Sequence, residues 1–403
     1  MTPHVASASQ RGLSLIELMV AITISLLMSL AIFSALAGSE GRKRTMTSVN
    51  DLNQVGTYAT YTLDKILRSA GSGFTHSADF TYGCPLRASL VSAGTILPFQ
   101  GAMSQPFQAM NTALGGSYRL APVMIAKNAT TPNVSAAGVA SARSDVLIVM
   151  AGAAGLGEVS TLFTAPATAS KITLQNTVSF QKDDMILVGD TPGPAGPTPC
   201  MIQQVAPTFD SAATPGALAL AGDYRANPIA GSDLTTYSTL ANVLSLGSAT
   251  SANPPIFSLY GVGDNNTLFS YDLLQMGAYD TPQEVADGIF EMHALYGVDL
   301  DGDGRVETWA DPGTGAYTVA ALQSGSAASL VALRSIKAIR LGLILRTSLP
   351  EKVTTPPASS GPLTLFSDLA GFTYTRPLAA SEQNFRYRTV ETTVPLRNTL
   401  LLE

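Results

Sequence analysis

Residues 18–37 form a run of 20 residues without a charge, LMVAITISLLMSLAIFSALA. As an α-helix rising 1.5 Å per residue, that run would span about 30 Å, the thickness of the hydrocarbon core of a bilayer. A secretory signal has a shorter apolar core, a basic start and a small-residue cleavage site behind it. Here the core is longer, and apart from Glu17 the only charged side chain before it is Arg11. The run reads as an N-terminal membrane anchor. Glu17, at its head, does not fit a plain anchor. A carboxylate in a membrane helix costs about 2.5–3.5 kcal/mol at the centre and less near an interface, so it requires a partner. A cut after Gly12 would leave the new α-amine of Leu13 four residues before Glu17. That amine is a cation, and on a neighbouring copy it could pair with Glu17.

At Arg11-Gly12-Leu13-Ser14-Leu15-Ile16-Glu17 and the apolar helix behind it, the chain resembles the type IV prepilins. The resemblance implies cleavage between Gly12 and Leu13 by a prepilin peptidase, which also methylates the new N-terminus. It gives Glu17 a role in docking subunits into a filament. Leu13 replaces the more usual Phe, and Ser34 stands where major pilins carry a helix-bending Pro, which points away from a major pilin. The family requires the leader on the cytoplasmic side. Arg42, Lys43 and Arg44 behind the helix pull the other way, but large domains translocate largely regardless of flanking charge.

Beyond the anchor, Leu52, Val55, Ala59, Leu63, Ile66 and Leu67 recur at spacings of three and four, an amphipathic stripe that predicts a helix packed on a globular domain. Gly71-Ser72-Gly73 is a plausible stop. Residues 13–70 would reach about 87 Å as one helix. Gly56, within the stripe, is expected to weaken it by about 1 kcal/mol relative to Ala. The rest reads as strands. Short apolar runs begin at Val146, Met185, Ile256 and Leu341, and an alternating, half-exposed one begins at Phe385. Pro and Gly clusters separate them. The predicted fold is therefore α+β: a long N-terminal helix on a strand-rich, mostly antiparallel domain with a large β-rich insertion. Its expected parts are a leader (1–12), a transmembrane half-helix (13–37), an amphipathic half-helix (38–72), the insertion (73–255), whose topology the pattern does not give, and a C-terminal β-rich region (256–403).

Charged residues are 13% of the chain and the net charge is −6, which argues against nucleic acid as a partner, since its binding rests on clustered Lys and Arg. Three His and two Cys leave little material for a zinc cluster. No Gly-x-Ser-x-Gly, His-Glu-x-x-His or P-loop motif occurs. His76 and His293 read as surface or packed residues, and Glu291, two positions from His293, as part of an ordinary polar face.

Three C-terminal stretches, Gly288-Ile289-Phe290 to Tyr296-Gly297-Val298-Asp299, Ala338-Ile339-Arg340-Leu341-Gly342, and Thr392-Thr393-Val394-Pro395-Leu396-Arg397-Asn398, resemble the PilW-type minor pilins. The resemblance implies a low-abundance pilin of the bacterial inner membrane, with its C-terminal domain in the periplasm. Its implied partners are the other minor pilins and the major pilin, in a complex that primes assembly and sits at the fibre tip with a large adhesin. A type II secretion pseudopilin shares the leader and stays open as a second reading. A membrane-anchored periplasmic enzyme is a third.

The clearest candidate site is acidic. Asp299, Asp301, Asp303 and Glu307 stand at positions 1, 3, 5 and 9 of a stretch with Gly304 at 6. Alternate residues of a tight loop can point inward together, the carbonyl of Arg305 facing an ion, and hard oxygen ligands suit Ca²⁺. Position 12 of an EF-hand is a bidentate Glu, but here it is Ala310. Glu307, or Asp311 beyond it, would supply the missing carboxylate. The other reading is an Asp-Gly hairpin turn whose acids stay hydrated. Trp309, the sole Trp, reads as a packing anchor beside it. Cys84 and Cys200 both fall in the part expected to be periplasmic. In an oxidising compartment such a pair suits a disulfide, the alternative being two buried thiols.

Overall fold

The computed structural model describes residues 14–131, 143–155, 159–193, 197–276, 280–351 and 357–401, with the backbone alone at 37, 38, 41, 42, 44, 112 and 401. Helix α1 spans Leu15–Ser69. Within it, Leu15–Leu36 is the one stretch among the described residues long and apolar enough to cross a membrane, and none of it is buried. The chain divides into two compact units, Met1–Asp51 and Leu52–Glu403.

The second unit begins on α1, where the stripe read from the sequence faces its core. Leu52, Ala59, Leu63 and Leu67 are buried, and Val55 and Ile66 pack against them in part. Gly56 has a use that its helix propensity hides. A methyl group there would overlap the side chain of Leu345 and touch Val390, so the missing Cβ lets the helix lie close on the sheet. Asn398 closes the end of α1: its Nδ2 donates to the carbonyls of Ser69 and Ala70 at 3.2 and 2.9 Å. These are two of the terminal acceptors that a helix cannot satisfy itself.

Helix α2 (Ala78–Thr81) leads to strands β1 (Leu86–Leu90) and β2 (Gly94–Leu97), then α3 (Gln108–Leu114), β3 (Val123–Ala126) and β4 (Val146–Ala151). Next come β5 (Thr161–Thr168), β6 (Lys171–Leu174), β7 (Asp184–Gly189), β8 (Cys200–Gln204), β9 (Ala217–Ala219) and β10 (Asn242–Ser248). After these follow β11 (Ile256–Val262), β12 (Leu268–Asp272), β13 (Gln283–Ala286), β14 (Ile289–Val298) and β15 (Thr308–Ala310). The chain ends with α4 (Val319–Leu322), α5 (Ala327–Ser335), β16 (Ile336–Arg346), β17 (Leu363–Leu365), β18 (Tyr374–Arg376) and β19 (Tyr387–Pro395). The runs expected at Val146, Met185, Ile256 and Leu341 are β4, β7, β11 and the second half of β16. The alternating run is β19, which starts two residues later than expected, at Tyr387, because the Phe385 amide donates to the Glu382 carbonyl at 3.1 Å in a turn ahead of it.

The architecture is α+β with several sheets. β15-β14-β16-β19 form a four-stranded sheet and β13-β12-β11-β4-β3 a five-stranded one, all antiparallel. Both contribute to one core with the stripe of α1. The third sheet runs β2-β1-β8-β7-β10-β5-β6-β9, with a parallel pair at β1–β8. Its last six strands return on themselves. Val205, just past β8, bridges Leu220, just past β9. The Ala206 amide donates to the Ala219 carbonyl at 2.9 Å, and the Ala221 amide to the Gln204 carbonyl at 3.1 Å. The resulting small barrel has its own core, with Phe163, Ile172, Ile186, Met201, Leu218 and Val243. Closure removes the free edges that two short sheets would otherwise expose. A two-stranded sheet, β17–β18, lies against the four-stranded sheet over a third cluster around Phe290, Ile344 and Phe366.

Candidate functional site

The acidic loop connects β14 to β15. These strands pair antiparallel, with Val298 opposite Thr308, so the hairpin context of the simpler sequence reading is present. The carboxylates are nevertheless not splayed into solvent. One carboxylate oxygen from each of Asp299, Asp301, Asp303 and Glu307 lies within 4.8 Å of all the others. Backbone amides hold them there. Asp299 accepts from Gly302 at 2.6 Å and Gly304 at 2.9 Å. Asp301 accepts from Asp303 at 3.1 Å, and Asp303 from Arg305 at 2.8 Å. Glu307 reaches back to the amide of Leu300 at 2.7 Å. Gly302 and Gly304 both have φ of +83° with open space where a Cβ would stand, so backbone sign and not room selects glycine at these two positions.

Asp299 is buried and the other three are exposed. Burial works against its charge, but the Gly302 and Gly304 amides and the nearby Lys337 outweigh this and hold the carboxyl below its ordinary value. Lys337 Nζ lies 3.9 Å from Asp299 and donates to the Thr399 carbonyl at 2.9 Å. Burial lowers the Lys337 pKa, with Asp299 opposing. Arg305 is exposed, its Nε 3.8 Å from Asp303. Asp311, the other candidate for the last ligand, is engaged elsewhere, accepting from Lys127 Nζ at 2.6 Å. At about 5 Å, two carboxylates in water repel by roughly 1 kcal/mol. Four gathered on one loop are a set that could hold a metal ion. A cleft of about 480 Å³ adjoins them, lined by Asp299, Leu300, Asp301, Tyr317, Val331 and Lys337. Trp309 is half-buried and packs on the Phe290 cluster.

Cys84 and Cys200 form a disulfide, with Cα atoms 5.6 Å apart. The parallel pair β1–β8 brings them together, since Leu86 stands opposite Cys200 and the Cys200 amide donates to the Pro85 carbonyl. At a sequence separation of 116, the loop-entropy model gives about 4–5 kcal/mol of stabilisation. Glu17 lies exposed in the first turn of α1, its amide 3.4 Å from Ser14 Oγ. Gly12 and Leu13 lie outside the described residues.

Glu291 departs from expectation. It is fully buried and paired with Arg376 and Tyr374, because residues 357–386 cover the face that the local pattern assigned to solvent. His293 is packed and His76 exposed. No signal near 291 in the sequence announces a partner 85 positions away.

Among known families, residues 259–398 match the Type IV Pilus-assembly protein W model, and residues 7–38 match the prokaryotic N-terminal methylation motif. No curated protein and no solved structure matches the chain. The first match contains β14, β16 and β19 together with the acidic loop, and the second contains Glu17 and the whole of the apolar run. They point to a structural pilus component rather than an enzyme. The two matches, one at each end of the chain, fit a class III prepilin-like pilin of the PilW family.

Proposed function

We propose that the chain is a minor pilin, cut between Gly12 and Leu13 by a prepilin peptidase and anchored in the inner membrane with the strand-rich unit in the periplasm. It joins other minor pilins in the complex that primes pilus assembly and stays at the fibre tip, where the complex presents an adhesin. The observation that carries this reading is Glu17 at the head of a wholly exposed apolar helix, inside the matched methylation motif. In such a helix a carboxylate is costly without a cation, and the α-amine created by the cut supplies one on a neighbouring subunit. The match to the pilus-assembly family supports a pilus over a secretion system. A strand-rich unit enlarged by a closed barrel suits a subunit that caps a fibre better than one repeated along it. In the host bacterium, Glu17→Ala is expected to be processed normally yet to recover several-fold fewer minor pilins in co-purified complexes. Normal surface piliation in that variant contradicts the assembly role.

The acidic loop is the reading's second part, a Ca²⁺ site using Asp299, Asp301, Asp303 and Glu307, with the Arg305 carbonyl as a further oxygen. The convergence of four carboxylates on one loop supports it, and extracellular sites of roughly 10⁻⁴–10⁻³ M affinity are ordinary for such sets. Calorimetry on the full-length chain in detergent is expected to give a Ca²⁺ isotherm that Asp299→Ala with Asp303→Ala removes. No heat at millimolar Ca²⁺ leaves a hydrated hairpin turn.

A further inference from the structure

A second acidic cluster lies beneath residues 357–386, far from the loop and opposite to it in character. These residues carry β17 and β18 and cover the four-stranded sheet at Phe290, Leu295 and Ile344, burying their own Leu365 and Phe366 there. Under this strap sit Asp145 and Glu291, and the strap adds its own Glu382, each no more than 1% exposed. Buried carboxylates persist only when paired and hydrogen-bonded, and here the partners are visible. Arg376, on the strap, donates from Nε to Glu291 and from its second terminal nitrogen to Glu382, both at 2.7 Å. Tyr374 donates its hydroxyl to Glu291 at 2.8 Å. Arg346 lies between the rings of Phe290 and Phe385, at 4.8 and 4.4 Å from their centroids.

His293 completes the set. Its Nδ1 is 3.5 Å from Asp145 and its Nε2 is 3.5 Å from Glu291, and its ring stacks on Tyr374 of the strap with centroids 3.9 Å apart. A neutral imidazole carries one N–H, whereas the imidazolium carries two. A carboxylate at each ring nitrogen therefore selects the charged form. Three carboxylates then face three cations, Arg346, Arg376 and His293, and the balance fails by one when His293 is neutral.

We propose that protonated His293 is a switch that keeps residues 357–386 closed over the sheet, and that loss of its proton releases this strap. Burial opposes the charge, but Asp145 and Glu291 outweigh it and push the pKa up to about 9 from 6.5. Because the folded-state pKa lies above the unfolded one, the stabilisation is complete below about pH 6.5 and is lost as pH rises through about 9. The groups facing His293 are Asp145 ahead of β4, Glu291 on its own strand, Tyr374 on β18 and, through Glu291, Arg376. Asp145 is fixed by the amides of Asn128 and Ala294, both at 2.9 Å. Burial, with Glu291 close by, pushes Tyr374 far above its ordinary value, so His293 is the member that titrates first.

The test uses the full-length chain in detergent, with Trp309 fluorescence as the probe of the Phe290 cluster and far-ultraviolet circular dichroism as the probe of the sheets. Between about pH 6.5 and about pH 10, Trp309 emission is expected to shift with a midpoint near 9 while the dichroism holds. Chymotrypsin cleavage after Phe366, which the closed strap buries, rises in step. His293→Gln alone is expected to be open already at neutral pH. Asp145→Asn with His293→Gln restores the charge balance without a titrating group, and is expected to stay closed across the same range. A double variant that keeps the wild-type transition, or opens at neutral pH, overturns the proposal. So does a wild-type Trp309 shift that coincides with loss of the sheet signal.

Discussion

The two halves of α1 obey the same backbone geometry and end in opposite surroundings. Over Leu15–Leu36 no residue is buried although most are apolar. From Leu52 onward, apolar residues fall every three or four positions and Leu52, Ala59, Leu63 and Leu67 disappear into the core. A helix apolar on all sides needs an apolar environment on all sides, whereas a striped one needs a single apolar face. The second half finds that face in its own chain. The first finds none among the described residues, and its length suits a bilayer or the centre of a fibre. Periodicity along one helix thus separates what the chain solves alone from what it leaves to lipid or partners.

A charge placed in each half should break the comparison if it is wrong. Leu63→Asp buries an unpaired carboxylate where no atom is exposed and is expected to cost at least about 5 kcal/mol. Thermal melts should show the strand-rich unit destabilised or unfolded. Leu26→Asp, at a site 67% exposed, should leave that melt unchanged. It should instead shift the chain from the membrane to the soluble fraction, at about 2.5–3.5 kcal/mol for a mid-helix charge. Equal melting of the two variants would erase the distinction between the halves. Glu17→Ala, the mildest change, should alter neither melting nor anchoring and should act on assembly alone.

Much of this was legible in local pattern. The stripe of α1 follows from its spacing, the apolar runs become β4, β7, β11 and part of β16, and the alternate acids of the loop meet as their spacing requires. What local pattern could not carry was contact at long range. Closure of the barrel depends on Val205 meeting Leu220, and neither residue has a side chain that specifies a partner. The Glu291 cluster gathers residues 145, 291, 293, 346, 376 and 382, and alternation places Glu291 and His293 on one face without saying what covers it. Gly56 was read by helix propensity, a local quantity, whereas its role is set by Leu345 across the packing interface. The two acidic clusters show the same limit. The loop at 299–307 declares itself because its members are adjacent. The buried cluster, with its matching cations, is invisible until the strap is in place.

The central claim is that the apolar helix is the anchor of a processed prepilin, and the most direct measurement is the N-terminal mass of the chain extracted from its host membrane. The account predicts a chain that begins at Leu13, with one methyl group on its α-amine and Glu17 retained. A chain that still begins at Met1, or one cut beyond the apolar run so that Glu17 is gone, would contradict it.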